Sequence, residues 1–458
     1  KKYMCARYKL RRGLDIPLKG KARTITDPPV VSAVYALKPT DFKHIVPKLL
    51  VREGDLLKAG SPVFCDKNRP EIRFTSPVSG FVQAIVRGEK RRLEAIEILA
   101  DEKDDFLKFP AEAPESMSAQ KIRDLLLESG CWPYIIRRPY GIIAHPRETP
   151  KAVFISCFDS APLAPELDYV FAEREEALKM GLRVLERICP QNVHLGLSDK
   201  TSPHSVFRRL QGIVHTFSGP HPAGNPGIQI HHVSPVGKDH VVWTLTPKGL
   251  AIIGELFLKG IYDTTATVAV TGPSLHRTGY IPCRPGIQMK ALTGFPYDND
   301  RETRIISGNP LTGDNAGRDG FLGFYHGQIT FLPEGHSREL LGWARPLRLH
   351  KFSAARTYVS YLAPLLGKTG RFSLNTNTNG GARAFVLTEG YQKVLPADIF
   401  VSFLIKAVLA KDIDKMERLG IYEMIPEDLA LCEFICPSKI EIQDILQQGI
   451  DLMIKEMQ

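Results

Sequence analysis

The sequence predicts a multidomain α/β protein with four regions. The chain has 458 residues, which exceeds the roughly 100–200 residues of one ordinary domain. Short β-prone runs separated by turn residues fill the N-terminal part, and strand-like runs alternate with helix-like runs farther along. These patterns place the predicted regions at 1–105, 106–258, 259–330 and 331–458.

The composition excludes several classes of protein. The longest apolar stretch, at 399–410, is shorter than the roughly 20 residues that cross a bilayer, and it contains Lys406. Residues 1–12 are too basic for a secretory signal peptide, and the eight cysteines lack the spacing of a disulfide-rich domain. We therefore expect a chain without a membrane span in a reducing cytoplasm.

The formal net charge of +10 favours an anionic partner. Basic clusters occur at 9–12, 87–92 and 137–138, but the sequence contains no signature of a nucleic-acid recognition module. An anionic membrane surface or an acidic partner protein explains the charge without nucleic acid. A solvated basic surface is the remaining explanation.

The first two regions differ in their periodicity. Residues 10–99 are β-prone and interrupted by glycines, so we predict a compact all-β unit. A helix is predicted at 117–129, where Ser118 is in position to cap it. Farther along, strands at 153–158 and 192–197 alternate with a long helix at 166–188, and a short helix and another strand follow at 206–217. This alternation predicts a parallel, doubly wound sheet.

The last two regions are predicted to be a small β-rich domain and a helical tail. Between 260 and 328 the β-prone runs are 265–270, 305–307 and 321–329. A helix that is apolar on most sides is predicted at 396–409. Ser438 and Glu441 have the spacing of a capping box before a final helix.

Residues 51–63 and 76–82 resemble the turns of a biotinyl/lipoyl domain, in which a lysine at a hairpin tip is modified. Lys67 lies near the equivalent position. However, Asn68, Arg69 and Pro70 follow it and distort a tight turn, and the Met-Lys-Met tip of biotin carriers is absent. We therefore predict that the barrel is a scaffold and not a swinging-arm carrier.

Further motifs occur in a fixed order along the chain. Residues 12–20 are Arg-Gly-Leu-Asp-Ile-Pro-Leu-Lys-Gly, and residues 221–227 are His-Pro-Ala-Gly-Asn-Pro-Gly. The other segments are 51–63, 76–80, 87–91, 126–130, 138–139, 154–166, 307–313, 420 and 428–432. In order and spacing these segments resemble the NqrA family, the A subunits of the sodium-translocating NADH:quinone oxidoreductase.

The resemblance implies a biotinyl/lipoyl-like barrel-sandwich domain, a Rossmann-like domain, a β-grasp domain of the soluble-ligand-binding type and a C-terminal helical domain. It also implies a peripheral subunit of an NADH:ubiquinone reductase that exports sodium, on the cytoplasmic face of a bacterial inner membrane. Its partners would be ubiquinone and the other pump subunits, especially an integral membrane subunit. Two alternatives stay open: a pure docking module and an Rnf-type electron-transport subunit.

The sequence predicts no catalytic residue and no flavin or NADH site in this chain. Relatives that bind flavin use a glycine-rich loop whose backbone N–H groups contact the phosphate. Here bulky rings and prolines fill the corresponding residues 131–140, so the backbone cannot approach a phosphate. No Gly-x-Gly-x-x-Gly motif follows a predicted strand. We expect the flavins and iron–sulfur centres in partner subunits.

No metal site is predicted either. Cys432 and Cys436 lie where relatives hold iron–sulfur clusters, but two thiolates alone cannot hold a cubane cluster. The histidines lack the spacing of zinc ligands, so we assign them to surface or capping roles. The densest group of histidines is His215, His221, His231, His232 and His240.

The segment after Gly130 is the candidate quinone-binding surface, because the resemblance links this region to quinone. Flat rings stack on a quinone head group, and cations polarise its carbonyls. The candidate residues are Trp132, Tyr134, Arg137, Arg138 and Tyr140. The alternative is that these rings only fill the space that a flavin occupies in relatives.

The carrier hypothesis has a direct test. We expect the intact mass of protein purified from its native host to equal the mass of the unmodified chain. The reason is that the residues after Lys67 distort the turn that a ligase would grip. A lipoyl or biotinyl increment on Lys67 would restore the carrier.

Overall fold

A computed structural model describes residues 6–190, 192–292, 294–297, 302–336, 351–360, 362 and 370–456. In these residues the strands are β1 Ala6–Lys9, β2 Val34–Leu37, β3 Pro47–Leu49, β4 Leu56–Leu57, β5 Pro62–Asp66, β6 Arg73–Thr75, β7 Gly80–Arg87, β8 Leu93–Ala100, β9 Ile136–Arg138, β10 Ile142–Ile143, β11 Ala152–Ser156, β12 Val193–Ser198, β13 Ile213–Ser218, β14 Val242–Leu245, β15 Ala266–Thr271, β16 Gly279–Cys283, β17 Thr303–Ser307, β18 Asp314–Asn315 and β19 Gln328–Pro333. The helices are α1 Ala119–Ser129, α2 Leu167–Val170, α3 Glu175–Ile188, α4 Pro226–Val233, α5 Pro247–Lys259, α6 Gly390–Val394, α7 Val401–Leu409, α8 Ile413–Arg418, α9 Ala430–Ile435 and α10 Ile442–Glu456.

The N-terminal barrel-sandwich consists of two small sheets, with strand orders β2-β8-β7-β4 and β3-β5-β6. Buried aromatic rings pack on the second sheet, where Phe64 of β5 stacks on its register partner Phe74 of β6 with ring centroids 4.5 Å apart. Gly80 lies so close to the neighbouring strand that a Cβ atom would be 2.0 Å from the carbonyl oxygen of Leu99. Glycine is therefore required at this position, where β7 pairs with β8.

Lys67 is exposed at the turn between β5 and β6. The buried carboxylate of Asp66 accepts the backbone N–H groups of Val46 and Asn68. The Arg69 side chain donates to the same carboxylate at 2.9 Å. The turn is thus tied to the residue before strand β3, and the scaffold role of the barrel stays a prediction.

The second region contains a sheet whose described strands have the order β1-β13-β12-β11-β14-β9-β10. Five neighbouring strands of this sheet are parallel, namely β1, β13, β12, β11 and β14. Strand β9 is antiparallel to β14, and β10 is antiparallel to β9. Phe154 of β11 packs with Ile230 of α4 on one face, and Ile155 packs in the core with Leu250 of α5 on the other. The predicted doubly wound sheet is confirmed, although the sequence did not predict that the N-terminal strand β1 joins it.

Two predicted helices have different bounds in the structure, because tertiary contacts override local propensity. The predicted helix 166–188 is divided into α2 and α3, and between them Arg174 donates to the carbonyl oxygen of Thr265. The predicted helix 396–409 begins only at Val401. The residues before it instead bind the histidines of α4, since His232 contacts the Pro396 carbonyl oxygen at 2.9 Å.

The third region is a mixed sheet with the order β16-β15-β19-β17-β18. The predicted strand 321–329 begins too early, because β19 is Gln328–Pro333. Glycine-rich residues before it form a loop, in which the Gly323 N–H donates to the Ser307 hydroxyl at 2.8 Å. This hydrogen bond satisfies a buried N–H group outside the ladder of the sheet.

The helical tail packs around α7 and α10, whose apolar residues share one core with Ala223 and with Ile228 of α4. The predicted final helix is present as α10, but it begins at Ile442, later than a cap at Ser438 would place it, so the capping box is wrong. The Ser438 hydroxyl donates to the Ala384 carbonyl oxygen and accepts the Val386 N–H. Ser438 therefore fixes a neighbouring loop.

A buried ion network joins the helical tail to the parallel sheet. Arg138, which is 3% exposed, donates to Asp428 at 2.6 Å and to Glu427 at 2.7 Å. Asp428 also accepts the N–H of Ile425. A Cβ atom on Gly227 would lie 2.5 Å from the Arg138 guanidinium and from the Asp428 carboxylate. Helix α4 can therefore begin beside this ion pair only with glycine at that position.

Removing the buried cation has a predictable cost. Arg138→Met leaves the Asp428 carboxylate buried without its partner, which lowers the free energy of unfolding by about 3–5 kcal/mol. Arg137→Met is the matched control, because Arg137 is 26% exposed and lies 3.6 Å from Glu148. We expect this control to lower the free energy of unfolding less than Arg138→Met does, because Glu148 keeps the hydrogen bond from the Trp243 indole N–H.

Thermal unfolding of the variants measures the difference. Asp428→Asn, added to Arg138→Met, should recover part of the lost melting temperature, since asparagine keeps an acceptor for the Ile425 N–H. Equal melting temperatures for the two single variants would contradict the assigned role of Arg138.

Candidate functional site

A cleft lies at the carboxyl ends of β11 and β14. From β11 the chain continues to β12 and β13 on one side of the sheet, whereas β14 pairs with β11 on the other side. Ligands of open α/β sheets bind at such a switch point, outside the carboxyl ends of the strands. The cleft encloses about 1210 Å³ of empty space, counting its open mouth. Topology and volume therefore mark it as the candidate site.

Residues from three regions line the cleft. Ser156 ends β11 and Asp159 follows it, while Asn225 and Thr246 cap helices α4 and α5. The β-rich sheet adds Ala266 and its neighbours, and the helical tail adds Glu427. The cleft therefore exists only where the three regions meet.

His221 and Ser160 form a hydrogen-bonded pair at the cleft wall. The imidazole Nδ1 lies 3.0 Å from the Ser160 hydroxyl, which also accepts the Gly224 N–H at 2.8 Å. When the Ser160 hydroxyl donates this hydrogen bond, Nδ1 is the acceptor and the proton of the neutral ring lies on Nε2. Burial lowers the pKa of His221 to about 4, so the ring is neutral near pH 7. The pair therefore offers the cleft a neutral N–H donor.

The cations of the cleft are held by backbone carbonyl groups. Lys248, in the first turn of α5, donates to the carbonyl oxygens of Phe324 and His326 at 2.8 and 3.2 Å. Burial lowers the pKa of Lys248 to about 8. Arg174 donates to the Thr265 carbonyl oxygen at 2.7 Å. Together with the N-termini of α4 and α5, these groups make part of the wall electropositive.

Two carboxylates balance these cations. Desolvation by the surrounding protein raises the pKa of Asp159, and the hydrogen bond from the Ala161 N–H opposes the shift. Desolvation also raises the pKa of Glu427, and the Arg138 guanidinium opposes that shift. Each carboxylate thus has one donor that keeps it in place at the edge of the cleft.

Much of the remaining wall is apolar and partly aromatic, and Thr267, Asn309 and Thr312 add polar side chains. Its apolar and aromatic members share flat or branched side chains, namely Phe158, Leu167, Val170, Phe171 and Tyr325. The Tyr325 hydroxyl donates to the Pro133 carbonyl oxygen at 2.8 Å, so this ring is fixed from behind by the segment after Gly130. An apolar cavity with few convergent polar groups is typical of small-molecule sites.

The sequence-predicted quinone residues do not line this cleft. Trp132 is fully buried, and its indole N–H donates to the Ala144 carbonyl oxygen at 2.8 Å. Tyr134 is buried and stacks on Phe324 with centroids 4.4 Å apart. Burial raises the pKa of Tyr134 well above its usual value. Tyr134 also meets the cleft residue Tyr325 edge to face, with ring centroids 6.5 Å apart.

The other three predicted residues lie beside the helical tail. Arg138 is bound in the ion network with Glu427 and Asp428. The Arg137 guanidinium lies 5.8 Å from the centre of the Tyr140 ring, and Tyr140 contacts Tyr422 edge to face. Among the five residues, only Arg137 is less than nine-tenths buried. A direct quinone contact by these residues stays a prediction.

Sequence reasoning missed Ser160, His221 and Lys248 as site residues. Two of them lie in the ordered motifs at 154–166 and 221–227. The surface assignment of the histidines is wrong for His215 and His221, which are 6% and 4% exposed. His215 contacts His194 at 2.9 Å between ring nitrogens. The loops at strand ends were therefore the signal that could have found this site.

The structure also bears on the predicted absences. Cys432 and Cys436 are buried in the helical tail as predicted, and the Tyr391 hydroxyl donates to the Cys436 sulfur. The part of the chain that the structure describes has no group of three or more His, Cys, Asp or Glu side chains that could hold a metal ion. No helix in that part is long and apolar enough to cross a bilayer.

Comparison with known proteins identifies the family. The N-terminal barrel-sandwich hybrid domain of NqrA matches residues 8–101, the second alpha/beta domain of NqrA matches 117–262, and the NqrA C-terminal domain matches 267–318. A solved structure of an NAD⁺-reducing NiFe hydrogenase is 11% identical with a TM-score of 0.40, covering 76% of this chain and 63% of that chain. This last likeness is too weak to indicate a function.

Two relatives match nearly the whole chain, and both are A subunits of the Na⁺-translocating NADH-quinone reductase. The relative from Yersinia pestis bv. Antiqua is 36% identical over 450 residues, covering 96% of this chain and 98% of the relative. The relative from Neisseria meningitidis serogroup B is 34% identical over 454 residues, covering 98% and 99%. The resemblance noted in the sequence is confirmed: the chain belongs to the family of A subunits of the Na⁺-translocating NADH-quinone reductase.

Proposed function

We propose that this chain is the peripheral A subunit of a sodium-exporting NADH:ubiquinone reductase and that its cleft binds the quinone head group. The chain holds no redox centre, and the flavins and iron–sulfur centres belong to partner subunits. The cleft at the switch point between β11 and β14 is the observation that supports the quinone site. The names of the relatives supply the substrate class.

The cleft has groups suited to both parts of a quinone head. The flat ring is apolar on its faces, and Phe158, Phe171 and Tyr325 provide rings and edges for packing. The two carbonyl oxygens need donors, which Nε2 of His221 and the ammonium of Lys248 can supply. The donor at His221 is neutral, so it costs no buried charge when the site is empty.

The quinone-binding residues predicted from the sequence can act on quinone binding in two ways. Either quinone contacts the segment 131–145 directly, or the segment acts only through the cleft wall, as the bond between Tyr325 and Pro133 indicates. Arg138 is connected to the cleft as well, because it binds Glu427. Photoaffinity labelling with a quinone distinguishes these two ways by the position of the label.

The location of the chain is part of the same proposal. We infer that it is docked on the cytoplasmic face of a bacterial inner membrane, against anionic lipids and an integral membrane subunit. The net charge of +10 supports contact with such a surface. The names of these relatives do not favour the Rnf-type alternative.

Quinone binding by the isolated chain tests the function. We expect a short-chain ubiquinone to quench tryptophan fluorescence, because Trp132 packs against Trp243 and is adjacent to Pro133, whose carbonyl oxygen binds the cleft residue Tyr325. His221→Leu removes one hydrogen bond to the ligand and should weaken binding roughly tenfold. His204→Leu is the matched control, since His204 is exposed and lies outside the cleft.

The alternative of a pure docking module makes the opposite prediction. A docking module binds no quinone, so an isolated wild-type chain without saturable quenching would exclude the proposed site. Equal weakening by His221→Leu and His204→Leu would exclude the assigned donor.

The protonation state of His221 is a separate prediction. We expect nitrogen NMR to show a neutral ring with the proton on Nε2 from pH 8 down to about pH 5, because burial lowers its pKa to about 4. Ser160→Ala removes the partner of Nδ1 and should give a mixture of tautomers. A ring that becomes charged near its ordinary pKa of about 6.5 in the wild type would contradict the assignment.

A further inference from the structure

Helix α7 has one buried and one exposed apolar face. Its inner face, which includes Leu404 and Ile405, is buried in the core of the helical tail against α10. The outer face, together with the residue before the helix, exposes Phe400, Phe403 and Leu409, whose exposed fractions are 60%, 53% and 53%. Large apolar side chains at helical spacing on a solvent face usually mark an interaction surface.

The exposed side chains form one stripe. Phe403, Lys406 and Leu409 follow one another in steps of three, so these exposed positions lie along one side of α7 within about 120°. Phe400 precedes the helix and continues this row beside Phe403. The rings of Phe400 and Phe403 meet edge to face at 6.4 Å. Lys406 lies between Phe403 and Leu409, so it interrupts the apolar surface of the stripe.

Cations lie along and beside the stripe. Lys406 lies within it, and Lys411 lies two residues after the end of α7 and next to Asp412; both lysines are exposed. Near its start, exposed Lys393 accepts the Gly13 N–H at its carbonyl oxygen, which brings the exposed residues Arg11 and Arg12 to this side. Arg12 lies 3.7 Å from Asp398. In the described residues, no carboxylate forms an ion pair with Lys393, Lys406 or Lys411.

We propose that the outer face of α7 docks on the anionic surface of a membrane, with Phe400, Phe403 and Leu409 inserted among the headgroups. This inference rests on the peripheral location proposed above and names the surface responsible for it. Amphipathic helices bury their apolar face in the same way, and each nearby cation contributes about 1 kcal/mol at an anionic leaflet.

The size of the stripe favours lipid over a protein partner. Three side chains that are each half exposed offer on the order of 300 Å² of apolar surface. A stable protein–protein interface buries about 800 Å² on each partner. A wedge with cations around it needs no such area, because the lipid headgroups supply charges that match the cations.

Flotation of the full-length chain with protein-free vesicles tests the proposal. We expect binding to vesicles of phosphatidylcholine with phosphatidylglycerol, little binding to phosphatidylcholine alone, and loss of binding at high salt. The variant with Phe400→Ser and Phe403→Ser, and the variant with Lys406→Glu and Lys411→Glu, should each weaken binding at least tenfold. All four side chains are exposed, so the melting temperature should not change.

Two control variants outside the helical tail match these changes in exposure and charge. Val31→Ser with Leu56→Ser replaces apolar side chains that are 79% and 84% exposed. Arg92→Glu with Lys108→Glu reverses two exposed charges. Both controls should bind vesicles like the wild type. Equal loss in the controls would show non-specific adsorption and overturn the proposal.

Two further outcomes would also overturn it. In one, the wild type does not bind anionic vesicles. In the other, it binds only membranes that contain the partner subunits, which would assign α7 to a protein contact. Quinone titration of the variant with Phe400→Ser and Phe403→Ser keeps this test separate from the cleft, because these residues do not line the cleft. Failure of docking thus leaves the proposed quinone site to be judged by its own assay.

Discussion

The buried ion pair between Arg138 and Asp428 determines how the helical tail sits on the parallel sheet. Arg138 is the last residue of β9, and its register partner is Val242 of β14. Asp428 comes from the opposite end of the chain and is 1% exposed. A buried charge without a partner costs several kcal/mol, so the tail cannot shift far from the sheet. Gly227 adds a steric limit, because no larger residue fits between the pair and helix α4.

This constraint also shapes the candidate site. Asp428 is adjacent to Glu427, whose backbone carbonyl oxygen accepts a hydrogen bond from Asn225 at the start of α4. The same contact therefore positions a carboxylate at the cleft and fixes a helix N-terminus beside it. His221 is held from the other side, since its backbone N–H donates to Asp15 near the N-terminus. Side chains that are distant in sequence thus form a preorganised wall, which lowers the entropic cost of binding a ligand.

The sequence predicted the order and type of the regions because periodicity and turn residues act locally. The cap Ser118 and the strand at 153–158 are examples, and the structure places both within a residue or two. The sequence could not predict the pairing of β1 with β13, which joins residues about 200 positions apart. Ser160 and His221 were missed because they are also distant in sequence, and a polar pair across two loops has no spacing signature. Aromatic and basic residues after Gly130 were found as a local cluster, yet their contacts are mostly interior.

The helical tail links the cleft to the proposed docking surface. Helix α10 contacts both α7 and the segment that contains Glu427 and Asp428. A ligand that contacts Glu427 and a membrane that contacts α7 would then act on one packed unit. By thermodynamic linkage, if membrane docking changes the quinone affinity by some factor, quinone binding changes the docking affinity by the same factor. Such coupling needs two arrangements of the tail, and the buried pair between Arg138 and Asp428 is the contact that resists any second arrangement. The rigidity that organises the cleft therefore also limits how strongly the membrane surface can act on it.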